Sequence, residues 1–378
     1  MIFDESQQFR TRRPLGGAAV MLQRLHIDGP LMVGLLAVSA LGLIVLYSAA
    51  SGDINLINRQ VVRMGVAFAA MFVMAQIPPH YLRLWAPALF VVGLAALALV
   101  IFFGDVGKGA RRWLDLGFMR FQPSEIMKLA VPMMVAWYLH TRPLPPSPGA
   151  LVLLALMIFM PAFMIAVQPD LGTALLIASS GILAVLLAGL SVRLIVAFGA
   201  LAAGAAPVLW YFMHDYQKQR VLTFLDPERD PLGAGYHSIQ AKIAIGSGGL
   251  FGKGWMNGSQ AQLEFLPERS TDFIFAVMAE EFGLLGLIVL LVVYAYVVGR
   301  GLYIATQGQD TFSRLLAGSV SLTFFVYVFV NIGMVIGIMP VVGVPLPLVS
   351  YGGTSMVTIM AGFGILMSIQ THRKLLAQ

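Results

Sequence analysis

Asp272 closes the segment Phe265-Leu-Pro-Glu-Arg-Ser-Thr-Asp272 and stands directly before a long apolar run, Phe273 to Val298. A carboxylate at the start of a helix faces unpaired N–H groups and the positive end of the helix dipole, so it stays ionised and can accept a proton. Aspartate also caps helices with no chemical duty, and position alone leaves both readings open. A second constellation is Arg120-Phe-Gln-Pro-Ser-Glu125-Ile-Met-Lys128. Pro123 suits the first turn of a helix, and Glu125 and Lys128, three residues apart, share a face. Charges in a membrane helix are costly and either pair or line a cavity. The pair is thus a structural lock between helices, an anion-binding cation held by its carboxylate, or both.

Three further groups are less specific. Asp170, in Gln168-Pro-Asp-Leu-Gly-Thr173, sits where a helix starts, and capping is its simplest role. Glu280 and Glu281 fall two turns into the helix that Asp272 precedes, about 12 Å deeper by helical geometry, with Glu281 pointing away from Asp272 and Glu280 to one side, and structural pairing is expected of both. Gly246-Ser-Gly-Gly-Leu-Phe-Gly-Lys253-Gly resembles a nucleotide-binding loop but fails its test: Ser247 replaces the first glycine, and Gly254 stands where a metal-holding hydroxyl belongs. A phosphate cradle of backbone N–H groups and flexible packing remain as its two readings. Histidine is sparse and unclustered, so no metal site is expected.

The elements that must carry these residues are membrane helices. Of 378 residues, 58% are hydrophobic and 11% charged, against about 25% charged in soluble domains. That composition excludes a water-soluble multidomain enzyme. Cysteine is absent, which removes thiolate metal sites, disulfides and a cysteine nucleophile together. Apolar runs of spanning length fall at 31–50, 60–77, 82–103, 124–140, 149–167, 171–189, 193–213, 272–299, 313–338 and 355–371. The expected fold is all-α: a single membrane domain, 1–378, of about ten transmembrane helices, with a long extracytoplasmic loop, 214–271, before the eighth.

Ten spans put both termini on one side. Arg83, Arg142, Arg193, Arg300, Arg314, Arg373 and Lys374 mark that side as cytoplasmic, because short cytoplasmic loops are basic. The N-tail, 1–28, carries Arg10, Arg12, Arg13 and Arg24 and does not read as a cleavable signal; the C-tail is 372–378. A loop as long as 214–271 is expected to hold short amphipathic helices at the interface, one from Tyr236 to Ile245 with Ile239, Ile243 and Ala244 on its apolar side. The segment 104–123, with Lys108, Arg111, Arg112, Asp115 and Arg120 between Trp113 and Phe118, suits the membrane interface. Pro340 to Gly353, with three prolines and three glycines, forbids a continuous helix. Such backbone at membrane depth must be buried in protein or line a cavity.

Together RFQPSE (120–125), QPDLGT (168–173), FLDPERDPLGAGYH (224–237), IGSGGLFGKG (245–254), FLPERSTDFIFAVMAEEFG (265–283) and NIGMVIGIMPVVGVPLPLVSYGG (331–353) resemble the SEDS family, the shape, elongation, division and sporulation proteins. The resemblance covers nearly the whole chain, and Arg269 after FLPE is similar to the family's rod-shape branch. It implies a peptidoglycan glycosyltransferase of the bacterial inner membrane that polymerises lipid II during elongation, releases undecaprenyl diphosphate and inverts the anomeric carbon. Asp272 then matches the family's essential aspartate. Glu125 and Lys128 match its polar pair, and Arg120 and Arg220 match basic residues of the catalytic cavity. Asp170 and Lys253 match motif positions without an assigned role. A base is needed for the acceptor hydroxyl and cations for the leaving diphosphate. No cofactor is required, and a divalent cation is left open. Implied partners are a class B penicillin-binding protein (a single-span transpeptidase), elongation-complex membrane proteins and membrane lipid, with no nucleic acid. The 313–338 span offers Gly318, Ser319, Ser321, Gly333 and Gly337 as a small-residue surface for that single span. A lipid II flippase, with Glu125, Lys128 and Glu280 along a path, and a non-catalytic scaffold are the competing classes.

Overall fold

The computed structural model describes residues 25–107, 110–115, 117, 120–213, 215–226, 234–263 and 265–373. Most of the N-tail with its four arginines, Lys108, Phe118, residues 227–233 of the long loop and the tail from Lys374 lie outside the described residues.

Ten long helices appear where the apolar runs predict them. They are α1 (Gly29–Ala49), α2 (Ile54–Gln76), α3 (Pro79–Phe103), α4 (Pro123–Leu139), α5 (Pro148–Val167), α6 (Leu171–Leu187), α7 (Val192–Phe212), α11 (Ile274–Thr306), α12 (Thr311–Ile336) and α13 (Thr354–Thr371). Between α7 and α11 stand α8 (Asp215–Leu225), α9 (Ala234–Gly248) and the one-turn α10 (Ser259–Gln262). Among the described residues seven helices are long and apolar enough to cross a membrane. The helices α4 and α6, 17 residues each, rise about 26 Å, the lower limit for a span. Leucines, valines and phenylalanines such as Phe102, Val152, Phe163 and Val292 stand exposed on the flanks, as a lipid-facing surface requires. This is a multi-pass membrane protein.

Local chemistry sets the helix ends. Asp28 caps α1 through Leu31 N at 2.9 Å, and Asp310 caps α12 through Ser313 N at 2.9 Å. Gly337 closes α12 in the left-handed region, φ +79, a conformation that favours glycine. The two ends of the described chain meet at the basic end of the bundle. There the His26 and His372 rings stack 3.9 Å apart, Arg300 binds Asp28 at 2.6 Å and Arg83 binds Asp310 at 3.2 Å.

Four features correct or go beyond the reading of the sequence. First, 104–123 carries secondary structure: β1 (Asp105–Gly107), β2 (Ala110–Asp115) and β3 (Arg120–Phe121) form a small antiparallel sheet in the order β1-β2-β3.

Second, the eighth span is not one helix. Gly283 breaks α11 with φ 62 and ψ −162. The limb before the break does not carry Glu280 and Glu281 straight down from Asp272: Ser270 Oγ reaches Ala49 O, and Ser48 Oγ, one residue earlier in α1, bonds Glu281. The limb therefore runs beside the end of α1. The 284–306 limb, about 34 Å long, is sufficient to span.

Third, α9 does not rest with Ile243 on an apolar contact. It packs on α11 and α12 through Ala241, Ala244 and Gly248, while Ile243 is exposed. Small residues win that face because the helices approach closely: a Cβ on Gly248 would lie 2.0 Å from Ala279 O.

Fourth, the small residues of α12 point into the protein. Ser319 and Ser321 are buried, a Cβ on Gly318 would meet Leu187, and Ser321 fills the space beside Gly301. They are not a lipid-facing surface for a partner span.

Candidate active site

Three consecutive backbone carbonyls lead up to α11, and each accepts a hydrogen bond. Tyr351 N donates to Ser270 O at 2.8 Å, Ser350 Oγ to Thr271 O at 2.5 Å, and Asn331 Nδ2 to Asp272 O at 3.0 Å. The same Asn331 amide donates to Val344 O at 2.7 Å. Asp272 is thus tied to the irregular segment Pro340–Gly353. It is not the helix cap: Phe273 occupies that position and makes no side-chain cap bond. Gly343, opposite, has φ +74, and a Cβ there would lie 3.5 Å from the Asp272 carboxylate.

The segment is held from its other side by α2. Gln60, buried, donates to Ser350 O at 3.2 Å and accepts from Gly352 N at 3.3 Å. The Arg63 guanidinium sits over the Tyr351 ring at 4.5 Å. The backbone that the prolines and glycines exclude from helix is therefore bonded within protein, as membrane depth demands.

The second constellation lies close by. Lys128 Nζ is 2.8 Å from Glu125 Oε1 and 3.4 Å from Ser355 Oγ, with the Tyr327 ring centroid 5.6 Å away. Tyr327 and Asn331 are four residues apart on α12, a rise of about 6 Å. One turn of α12 therefore separates the residue pinning Asp272 from the residue beside Lys128. Asp170 caps α6 through Thr173 N at 3.3 Å and lies 3.6 Å from Arg112 Nε. Arg112 also donates to Pro169 O at 2.5 Å, tying the sheet to that turn. Gly172 abuts Val342 O, so the start of α6 borders the same irregular segment.

Arg220 lines an open pocket with Lys242, Thr223, Ser238, Gly337 and the stretch from Met339 to Val341. Two cations and two hydroxyls there suit an anion. Arg120 pairs through its backbone with Asp115; its side chain lies outside the described residues.

Lys253 stands apart. Its ammonium is 2.6 Å from Glu280 Oε1 and 2.8 Å from Ser259 Oγ, which separates Glu280 from the Glu125–Lys128 pair. The glycine-rich stretch is neither a phosphate cradle nor loose packing. Gly252 N donates to Gly248 O, Lys253 N to Glu280 O and Gly254 N to Glu281 O. Leu284 N and Leu285 N, past the break at Gly283, donate to Gly249 O and Leu250 O. The stretch replaces the helix hydrogen bonds that the break removes.

Asn331, Tyr327, Gln60, Arg63 and Lys242 were not singled out by sequence reasoning. A usable signal existed for four of them: polar or ionisable residues inside apolar runs face the protein interior or a cavity. Lys242 has only its place on α9.

Fold and site define a multi-pass membrane protein with Asp272, held by its backbone, and the Glu125–Lys128 pair at the end opposite its basic loops. Residues 30–375 match the cell cycle protein family of FtsW, RodA and SpoVE, and the chain belongs to that family. It is 55% identical over 356 residues, 94% of this chain and 96% of the relative, to the peptidoglycan glycosyltransferase MrdB of Escherichia coli (strain K12). It is 38% identical over 325 residues, 83% of each chain, to the MrdB of Helicobacter pylori (strain J99). Among solved structures, a chain described under structural coordination of polymerization and crosslinking by a peptidoglycan synthase complex superposes with a TM-score of 0.80 at 34% identity, covering 91% of this chain and 97% of that one. The rod shape determining protein RodA of Thermus thermophilus superposes with a TM-score of 0.69 at 30% identity, covering 92% and 98%.

Proposed function

We propose that this chain is a peptidoglycan glycosyltransferase that polymerises lipid II at the outer face of the bacterial inner membrane. The basic end is then cytoplasmic, with both termini there. The observation that carries the reading is that Asn331, which holds the Asp272 backbone, stands one turn of α12 from Tyr327, the residue beside Lys128. Asp272 takes the proton from the acceptor's 4-hydroxyl as that oxygen attacks the donor's anomeric carbon. The bond from that carbon to the diphosphate oxygen breaks on the opposite face, and the electron pair leaves with the diphosphate. Lys128 and Arg220, with Arg120, neutralise the departing charge. An α-linked donor gives a β-linked glycan. Glu125 holds Lys128 in place, Asp170 anchors the start of α6 through Arg112, and Lys253 keeps Glu280 paired beneath the α11 break. The two relatives named peptidoglycan glycosyltransferase support the reaction class.

The product strand must be crosslinked, and a class B penicillin-binding protein is the partner we assign. The synthase complex that joins polymerization and crosslinking supports this. The pairing of Glu280 with Lys253 argues against a flippase path through Glu280. The test is the purified chain in liposomes with lipid II. β-linked glycan strands, cleaved by a muramidase, are the expected product. No glycan, with or without the transpeptidase, would sink the proposal.

A further inference from the structure

The middle of the Pro340–Gly353 segment turns back inside the bundle. Ser350 N and Val349 N donate to Leu346 O at 3.0 and 3.3 Å, closing a tight turn. Leu346, Leu348, Val349 and Ser350 are all buried. The turn presses on α1 so closely that a Cβ on Gly42 would lie 2.6 Å from Leu348 O. Gly42 stands about 10 Å along α1 from its Ala49 end, so a carbonyl at that depth needs a donor from the protein. For Pro347 O the donor is Tyr294, on the 284–306 limb of α11, whose hydroxyl reaches it at 2.6 Å. The Tyr294 ring is itself fixed edge-on by Phe324, centroids 5.7 Å apart, and Phe324 meets Phe363 at 4.9 Å. Within the turn Leu348 has φ +62, a conformation disfavoured for leucine that persists only where its surroundings hold it.

Ser350 carries this placement onward. Its hydroxyl accepts from Leu346 N at 2.8 Å and donates to Thr271 O at 2.5 Å. Tyr351 N, the next residue, donates to Ser270 O at 2.8 Å. A run of bonds therefore leads from Tyr294 through Pro347, its neighbour Leu346 and Ser350 to the residue before Asp272. We infer that Tyr294 and Ser350 are positioning residues for Asp272: Tyr294 sets how deep the turn sits, and Ser350 conveys that depth to the backbone of Asp272. The inference rests on the glycosyltransferase reading, in which Asp272 is the base. A purely structural role for Tyr294, satisfying a buried carbonyl, would reduce the amount of folded protein and leave the rate per folded molecule alone. A base displaced by 1 Å instead loses up to about 10²-fold in rate.

Tyr294→Phe removes one hydroxyl and keeps the ring. With lipid II in liposomes, the folded variant is expected to show kcat about tenfold lower and KM nearly unchanged. Tyr296→Phe is the control: its hydroxyl also bonds a proline carbonyl, Pro30 O at 3.1 Å, but at the opposite end of α1, and its kcat should equal the parent's. Combined with Asp272→Asn, Tyr294→Phe should lower the residual single-turnover rate no further, because it acts through a base already removed. Ser350→Ala should give the same pattern from the other end of the run, so the test does not depend on one variant folding. An unchanged kcat in both folded variants, or an equal fall with and without Asp272→Asn, overturns the inference and leaves the polymerase reading intact. Hydrogen exchange supplies a readout without turnover: the amides of Leu346 and Tyr351 should exchange about tenfold faster in Tyr294→Phe than in Tyr296→Phe. Equal exchange overturns the inference as well. If the parent chain makes no glycan while these amides respond, the proposed function fails and the hold of Tyr294 on the turn stands.

Discussion

Asn331 links two stretches of chain that are distant in sequence, Asp272 and Val344, through one side-chain amide. It is fully buried, so Asn331→Ala leaves two carbonyls short of a donor, a loss of about 1–3 kcal/mol each at most. The kinetic effect should be larger than the stability effect, because displacing a reacting group by 1 Å costs up to about 10²-fold in rate. Steady-state kinetics on the folded variant should show kcat falling with KM nearly unchanged; a rise in KM alone would make Asn331 a binding residue. The Glu125–Lys128 pair separates in the same way. If Glu125 only holds the ammonium, Glu125→Gln loses less polymerisation than Lys128→Ala, both measured on well-folded protein. The reverse ranking would make Glu125 a chemical participant. Asp272, Glu125 and Lys128 were legible as residues because charge is conspicuous in an apolar chain. Asn331 was legible only as a polar residue within an apolar run, because a neutral amide there carries no signal of which distant backbone it serves.

At the scale of elements, the break at Gly283 and the glycine-rich stretch form one device. The stretch supplies Gly249 O and Leu250 O to the N–H groups that the break leaves open, and its own N–H groups bond Glu280 O and Glu281 O. Such backbone-to-backbone contact tolerates no side chain. A Cβ on Gly252 would lie 2.2 Å from Glu281 O, and its φ of +78 favours glycine as well. Gly252→Ala should lower thermal stability in detergent by about 1–3 kcal/mol or more, whereas Gly246→Ala, which meets nothing, should leave it unchanged. Equal melting temperatures for the two would contradict the docking. Hydropathy placed all ten long helices but missed this break: Gly283 lies in an apolar stretch, and a glycine within a helix reads as a small propensity cost. Its conformation is set by residues thirty positions earlier. The inward turn of Ser319 and Ser321 was hidden for the same reason, since small residues suit a partner helix inside the chain as well as one outside it.

The whole molecule separates its two tasks by end. At the basic end, ion pairs and stacked histidines fasten the beginning and end of the described chain. At the other, the irregular Pro340–Gly353 segment is bonded to the approach to α11 and to side chains of α2 and α12, and it borders the start of α6, while Ser355 of α13 reaches Lys128. A transpeptidase span has to find another surface than the small residues of α12, which are occupied within the chain. The measurement that bears most directly on this account is the single-turnover rate of lipid II polymerisation by the purified chain and by Asp272→Asn, each with its melting temperature. The substitution leaves the carbonyl bonds at 270–272 in place and removes only the base. The account predicts unchanged melting and a rate lower by about 10²–10⁴-fold, the contribution of a general base. A folded Asp272→Asn protein that polymerises lipid II at the parent rate would contradict it.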